Sequence, residues 1–203
     1  VASFALSEVS LADLDDPALA REALAQRRAP RGVATPLAAR SFAARVASER
    51  SRRFGHELQQ RGFALNGRIA RAGLPAIDHL VVAPSGVWIV ASEHVSCARV
   101  SVRRRHLAGD QRLRIGGRDR TALLDTLDQQ VAAVRAELFD ALDAPVHAAL
   151  VLPGAEFPLL RTLIARDHLI VRPGQLLGQL EARGPLRRAR AREVAALLDA
   201  RLA

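Results

Sequence analysis

Ile77-Asp78-His79-Leu80-Val81-Val82-Ala83-Pro84-Ser85-Gly86-Val87-Trp88-Ile89-Val90-Ala91-Ser92-Glu93 is the stretch on which the fold turns. Two runs rich in Val and Ile flank Pro84-Ser85-Gly86, residues that favour a chain reversal. The stretch therefore predicts a strand, a tight turn and a second strand. Neither run alternates between polar and apolar, and near-continuous hydrophobicity predicts a hairpin covered on both faces, as when helices pack on either side of a sheet. Asp78 and Glu93 stand out at its two ends, because ionised carboxylates are rarely buried without partners. They are the leading functional candidates.

The register of this hairpin decides which residues meet. If Ala83 pairs with Gly86 or with Val87, Asp78 falls opposite Ala91 or opposite Ser92. Strand alternation puts Ala91 and Glu93 on one face. Asp78, Ala91 and Glu93 are thus expected to converge at the open end of the hairpin.

Composition bounds the rest. A chain of 203 residues, 49% hydrophobic and 25% charged, suits one sizeable globular domain with a small appendage. Aromatic residues make up 3%, with one Trp and no Tyr, so the core must be Leu, Val, Ile and Ala, and stacking platforms for single-stranded nucleic acid are scarce. All thirty basic residues are Arg, which excludes any mechanism that needs a lysine. The formal charge of +9 favours an anionic partner such as nucleic acid, or a solvated basic surface. Cys97 is the sole cysteine, which excludes an intrachain disulfide and a thiolate cluster and fits a reducing cytoplasm. No apolar run has the length of a membrane span and the start lacks a basic, then apolar, leader pattern, so a cytoplasmic chain without a membrane partner is expected. The chain opens on Val1 and contains no Met, which leaves room for an upstream segment. The oligomeric state is left open by the sequence.

In order, residues 1–35 read as an N-terminal arm with a peripheral helix from Asp16-Pro17 to Arg28 and a linker at Arg27 to Gly32. A helix follows from Thr35-Pro36 to about Gln60, stopped by Gly62, then a strand from Phe63 to Ile69 and the central hairpin. Ala98 to Arg103 and Gln111 to Ile115 alternate and predict an exposed outer hairpin ended by Gly116-Gly117. Leu123, Leu127, Val131, Val134 and Leu138 recur at helical spacing and predict a helix from about Asp119 to Leu142. Val146 to Leu152 and Leu169 to Val171 read as strands, and Pro185 to Leu202 as a terminal helix. A mixed sheet flanked by helices is the economical packing.

The residues Ala76 to Val90, the outer hairpin ending at Gly116-Gly117-Arg118-Asp119-Arg120, and a helix carrying Gln130 together resemble the nuclease-related domain (NERD) family, a branch of the restriction-endonuclease-like PD-(D/E)xK superfamily. The resemblance covers about residues 49–172. It implies a restriction-endonuclease-like α/β fold, a domain over 36–172 and a C-terminal helical segment over 173–203. It also implies metal-assisted phosphodiester hydrolysis, in which two carboxylates hold magnesium or manganese and a lysine orients the attacking water. Carried over, Asp78 is the first metal ligand, Ala91 takes the second acid's position and Glu93 the lysine's. Glu49 or Glu57 would answer to a helical acid of the family, and Gln130 to a residue beside the site.

This chain departs from that pattern at two of three core positions. Ala91 cannot bind a cation and Glu93 has the opposite charge to lysine. The expected reading is a degenerate, non-catalytic nuclease-fold domain that needs no cofactor and contacts nucleic acid through Arg99, Arg103, Arg104, Arg105, Arg112, Arg114, Arg118 and Arg120. One alternative keeps an enzyme, a divergent DNA nuclease using Asp78 and Glu93 with magnesium or manganese. Another makes the chain a protein-interaction module without nucleic-acid binding. The six His residues are scattered, with no zinc-binding spacing.

Overall fold

A computed structural model describes residues 21, 53–60, 75–95, 97–104, 111–138, 144–158 and 162–202, and the backbone of 63–65. The chain divides into two compact units, Val1–His56 and Glu57–Ala203. The N-terminal arm expected over 1–35 lies outside the described residues except for the helical Arg21, as do most of the helix expected from Thr35 and the end of the strand expected from Phe63.

Thirteen described segments carry the architecture that follows. Helical residues 53–60 (α1) precede β1 (Phe63–Leu65), and β2 (His79–Ala83) and β3 (Gly86–Ser92) form the central hairpin. A small sheet of β4 (Val100–Arg104), β5 (Gln111–Ile115) and β6 (Arg118–Asp119) comes next, then α2 (Ala122–Leu138) and β7 (Val146–Val151). The hairpin β8 (Leu163–Ala165) and β9 (His168–Val171) leads into α3 (Pro173–Glu181) and α4 (Arg188–Leu202). The main sheet has the order β1-β2-β3-β7-β9-β8, with β3, β7 and β9 parallel and the other pairings antiparallel.

The central hairpin closes as its turn chemistry requires. Ala83 pairs with Gly86 and His79 with Val90, which settles the register in favour of the shorter reversal. Gly86 has φ +141°, and a Cβ there would lie 2.6 Å from Pro145 O, so a side chain would block the approach of β7. The Trp88 indole donates to Ser85 Oγ at 2.9 Å, satisfying its buried N–H.

Both faces of the hairpin are covered, as its continuous hydrophobicity predicts. Leu80, Val82, Val87 and Ile89 share one core with Leu124, Leu127, Val131 and Val134 of α2, with Val194 and Leu198 of α4, and with Val100, Leu113 and Ile115 of the small sheet. Burying each such aliphatic side chain contributes about 1.5–3 kcal/mol. On the opposite face Val81, Trp88, Val90, Ala149 and Val151 are also buried, and α3 lies against β7.

Three expectations change. The helix starts at Ala122 rather than Asp119, because Asp119 belongs to β6 opposite Arg114 and its carboxylate accepts from the Thr121 amide at 2.9 Å and hydroxyl at 2.6 Å. Those bonds satisfy groups that would otherwise be orphaned at the helix start. Gly116-Gly117 therefore turns the chain into a third strand instead of ending the outer sheet. The strand expected at Leu169 begins at His168 and is one arm of a hairpin with β8. Helix α3 adds to the terminal helix read from Pro185.

Candidate functional site

Asp78 precedes β2 by one residue, and continuing the β2–β3 register puts it opposite Ala91. The Ser92 amide donates to Asp78 Oδ2 at 3.4 Å, which ties the two strand ends together. Asp78 is exposed, whereas Ala91, Ser92 and Glu93 are half-buried. The acid that seemed out of place in a covered hairpin thus lies beyond its covered part. Glu93 sits where β3 leaves the sheet, its amide donating to Val151 O at 3.0 Å, and Glu93 Oε1 lies 3.6 Å from Arg120 Nη2.

Asp78, Ala91 and Glu93 share a face by alternation, but their chemistry does not assemble a two-carboxylate cation site. Ala91 offers no oxygen and is packed against the core, and the charge of Glu93 is opposed by Arg120. Among the described residues no group of three His, Cys, Asp or Glu could hold a metal ion. A magnesium-type cation, which takes oxygen ligands, does not fit this donor set.

Gln130 lies 3% exposed on the inward face of α2, and its amide donates to Ala76 O at 2.7 Å. It fixes the backbone two residues before Asp78, and its side chain makes no hydrogen bond to Asp78 or Glu93. Its Oε1 is buried and meets no partner, an arrangement that is costly unless some other group compensates. Glu57 is half-buried in α1 and makes no hydrogen bond or ion pair with Asp78 or Glu93. Glu49 lies outside the described residues.

His79, beside Asp78, is held below the ordinary histidine range by burial, which the Asp78 charge only partly offsets. His147 is likewise depressed, by burial first and by Arg135, against a hydrogen bond to the Ser85 carbonyl. Its ring packs against Trp88 with centroids 4.7 Å apart.

The small sheet sorts the arginines. Val100, Leu113 and Ile115 point inward and are buried, so alternation turns Ser101, Arg103, Arg112 and Arg114 outward. Arg103 stands directly opposite Arg112, and like charges so opposed destabilise a sheet. Arg112 lies 3.7 Å from Asp119, and Arg114 donates to Gly117 O at 2.5 and 3.1 Å. Arg99, Arg104 and Arg118 are also exposed, though Arg104 and Arg118 belong to the opposite alternation. Arg120 turns to Glu93 and leaves this group, and Arg105 lies outside the described residues. Asp119, which faces Arg114, is held below the usual carboxylate range by its Thr121 bonds first and by these arginines.

One polar cluster has no forerunner in the sequence reading. Arg166 donates to Asp125 Oδ1 at 2.5 Å and to Asp128 Oδ2 at 3.0 Å. His168, 5% exposed, lies with Nε2 2.7 Å from Asp128 Oδ1. Arg166 and Asp167 both adopt left-handed backbone, φ 51° and 64°, a conformation that costs most residues energy. Gln111 Oε1 receives the Arg166 amide at 2.6 Å, and the two acids anchor its side chain. Only the turn itself could be suspected from sequence, since its partners lie on α2 and β5. Comparisons with protein-family models, with curated proteins and with solved structures give no match to this chain.

Proposed function

We propose that this chain is a nuclease-related domain in which the family's chemistry is lost, and that it binds nucleic acid through phosphate contacts without reading sequence. The observation that carries the reading is the outward row of Arg103, Arg112 and Arg114, in which Arg103 stands directly opposite Arg112 and Asp119 is the acid beside them. A polyanion laid across this face converts that repulsion into attraction. The loss of chemistry rests on Ala91 and on Glu93 held against Arg120.

Binding of this kind is sequence-independent and falls steeply with salt. Fluorescence anisotropy with labelled DNA tests it. Engagement of about four phosphates gives a slope of log affinity against log salt of roughly −4, equal for unrelated sequences. Absence of binding at low salt would refute the proposal. The pairing of Glu93 with Arg120 also favours a second reading, a structural or protein-interaction role for this end of the sheet, and that same negative result would support it.

A further inference from the structure

A cavity of about 450 Å³ opens between α2, the start of β7 and the β8–β9 turn. It is separate from the strand-end site, because Glu93 meets Val151 at the other end of β7. Its size is that of a small-molecule pocket.

Parallel pairing fixes which backbone groups reach it. Pro145 O accepts from the Val87 amide and Val151 O from the Glu93 amide, so the odd-numbered residues of β7 turn their peptide groups to β3. The even-numbered residues turn theirs to the other side, where Leu152 N donates to Val171 O. Pairing with β9 begins only at Ala149 and Leu169. The amides of Val146 and Ala148 therefore point past the start of β9 toward the cavity. Both residues are buried, and neither amide meets an acceptor among the described residues. Facing the cavity, both amides can donate to whatever occupies it.

Arg135 adds further donors at the same wall. Among the described residues its hydrogen bond is from Nη2 to Val146 O at 3.4 Å, which leaves most of the guanidinium fork for other acceptors. Acceptors are not in surplus: Asp128, the acid on the α2 side, gives one oxygen to Arg166 and the other to His168, and Asp167 lies exposed on the turn. Val131, Ala132 and Pro145 supply apolar surface. Asp128 and Asp167 on its wall are matched by Arg135 and Arg166, and the donors left to an occupant are the two amides and the Arg135 fork.

We infer that this cavity binds a small organic anion, a carboxylate or phosphate monoester. Its charged head accepts from the Val146 and Ala148 amides and from Arg135, and its body lies along Val131, Ala132 and Pro145. The site is independent of nucleic-acid binding on the small sheet.

The test is amide NMR on the full chain, titrated in parallel with phenyl phosphate and with benzoate. Saturable shifts at Val146 and Ala148 are expected for at least one, with a dissociation constant on the order of 1 mM or tighter. Arg135→Gln should weaken binding about tenfold, and Ala132→Glu, an exposed helix position, should abolish it by placing a carboxylate at the mouth. Response to phenyl phosphate alone assigns a phosphate ester, to benzoate alone a carboxylate, and to both an anion site tolerant of either. Shifts confined to Arg103, Arg112 and Arg114, or binding unchanged in both variants, would overturn the inference.

Discussion

Glu93 and Arg120 meet at 3.6 Å, joining the end of β3 to the residue that follows β6. Arg120 thereby answers a carboxylate at the position where the family resemblance asks for a lysine. Because the two side chains are 30% and 47% exposed, the pair is screened by water, and Glu93→Gln should cost less than about 1 kcal/mol in urea unfolding. The larger effect is chemical. The natural chain is expected to leave plasmid DNA intact with magnesium, whereas Ala91→Asp with Glu93→Lys supplies the missing acid and base. Heat of magnesium binding by calorimetry and nicking of plasmid should appear in the double variant alone. Equal cleavage by the natural chain would sink the reading that its chemistry is lost.

Arg103 opposite Arg112 gives a variant whose two effects have opposite signs. Arg103→Glu replaces a like-charge pair with an opposite one, which should stabilise the fold by about 0.2–1 kcal/mol. The same change should weaken DNA binding and reduce the salt slope by about one. Thermal unfolding and anisotropy on the same sample check both. A variant that loses stability and keeps full affinity would separate this face from binding.

Gln130 holds the backbone two residues before Asp78. Gln130→Leu removes the buried donor to Ala76 O and leaves a carbonyl unpaired, at a cost of about 1–3 kcal/mol. It also removes the unpartnered Oε1, which draws the loss toward the lower end of that range. Urea denaturation gives the value, and an unchanged midpoint would mean that Ala76 O is satisfied without Gln130.

Histidine burial sets a pH dependence. His79 and His147 both have pKa values lowered in the folded chain, chiefly by burial. The unfolded chain therefore takes up protons first as pH falls, so stability contributed above about pH 6.5 is lost as pH drops from there through the folded values. Melting temperature should fall with acidification across that window. His79→Gln and His147→Gln should each flatten the slope, and a profile equally steep in both variants would assign the effect to other groups.

Much of the main sheet was legible because its strands are long and apolar and its hairpin turn is chemically explicit. Pro84-Ser85-Gly86 and the runs beside it suffice to foretell that Asp78, Ala91 and Glu93 share a face. Strand β6, with two residues, and β8, with three, are too short to show alternation. Asp119 carries no local sign that it ends a strand and braces a helix start at once. Helical spacing picks out Leu123, Leu127, Val131, Val134 and Leu138 as the stripe of α2, and the structure adds Leu124 and Gln130 as buried while Leu123 is only partly so. Pairs such as Glu93 with Arg120, or Asp128 with His168, join residues far apart in sequence, and a charge in a sequence does not name its partner.

The seam between β3 and β7 has a consequence in time. Every other neighbour of β2 and β3 in the main sheet lies nearby in the chain, but Val87 must find Val146 across the small sheet and α2. Closing that loop costs entropy before any pairing repays it. The hairpins β2–β3, β4–β5 and β8–β9 are thus the pieces that can form locally, and the parallel seam, which closes the longer loop, is expected to form after them. Gly86, whose missing side chain lets Pro145 approach, stands at the start of the seam where the two halves of the sheet meet.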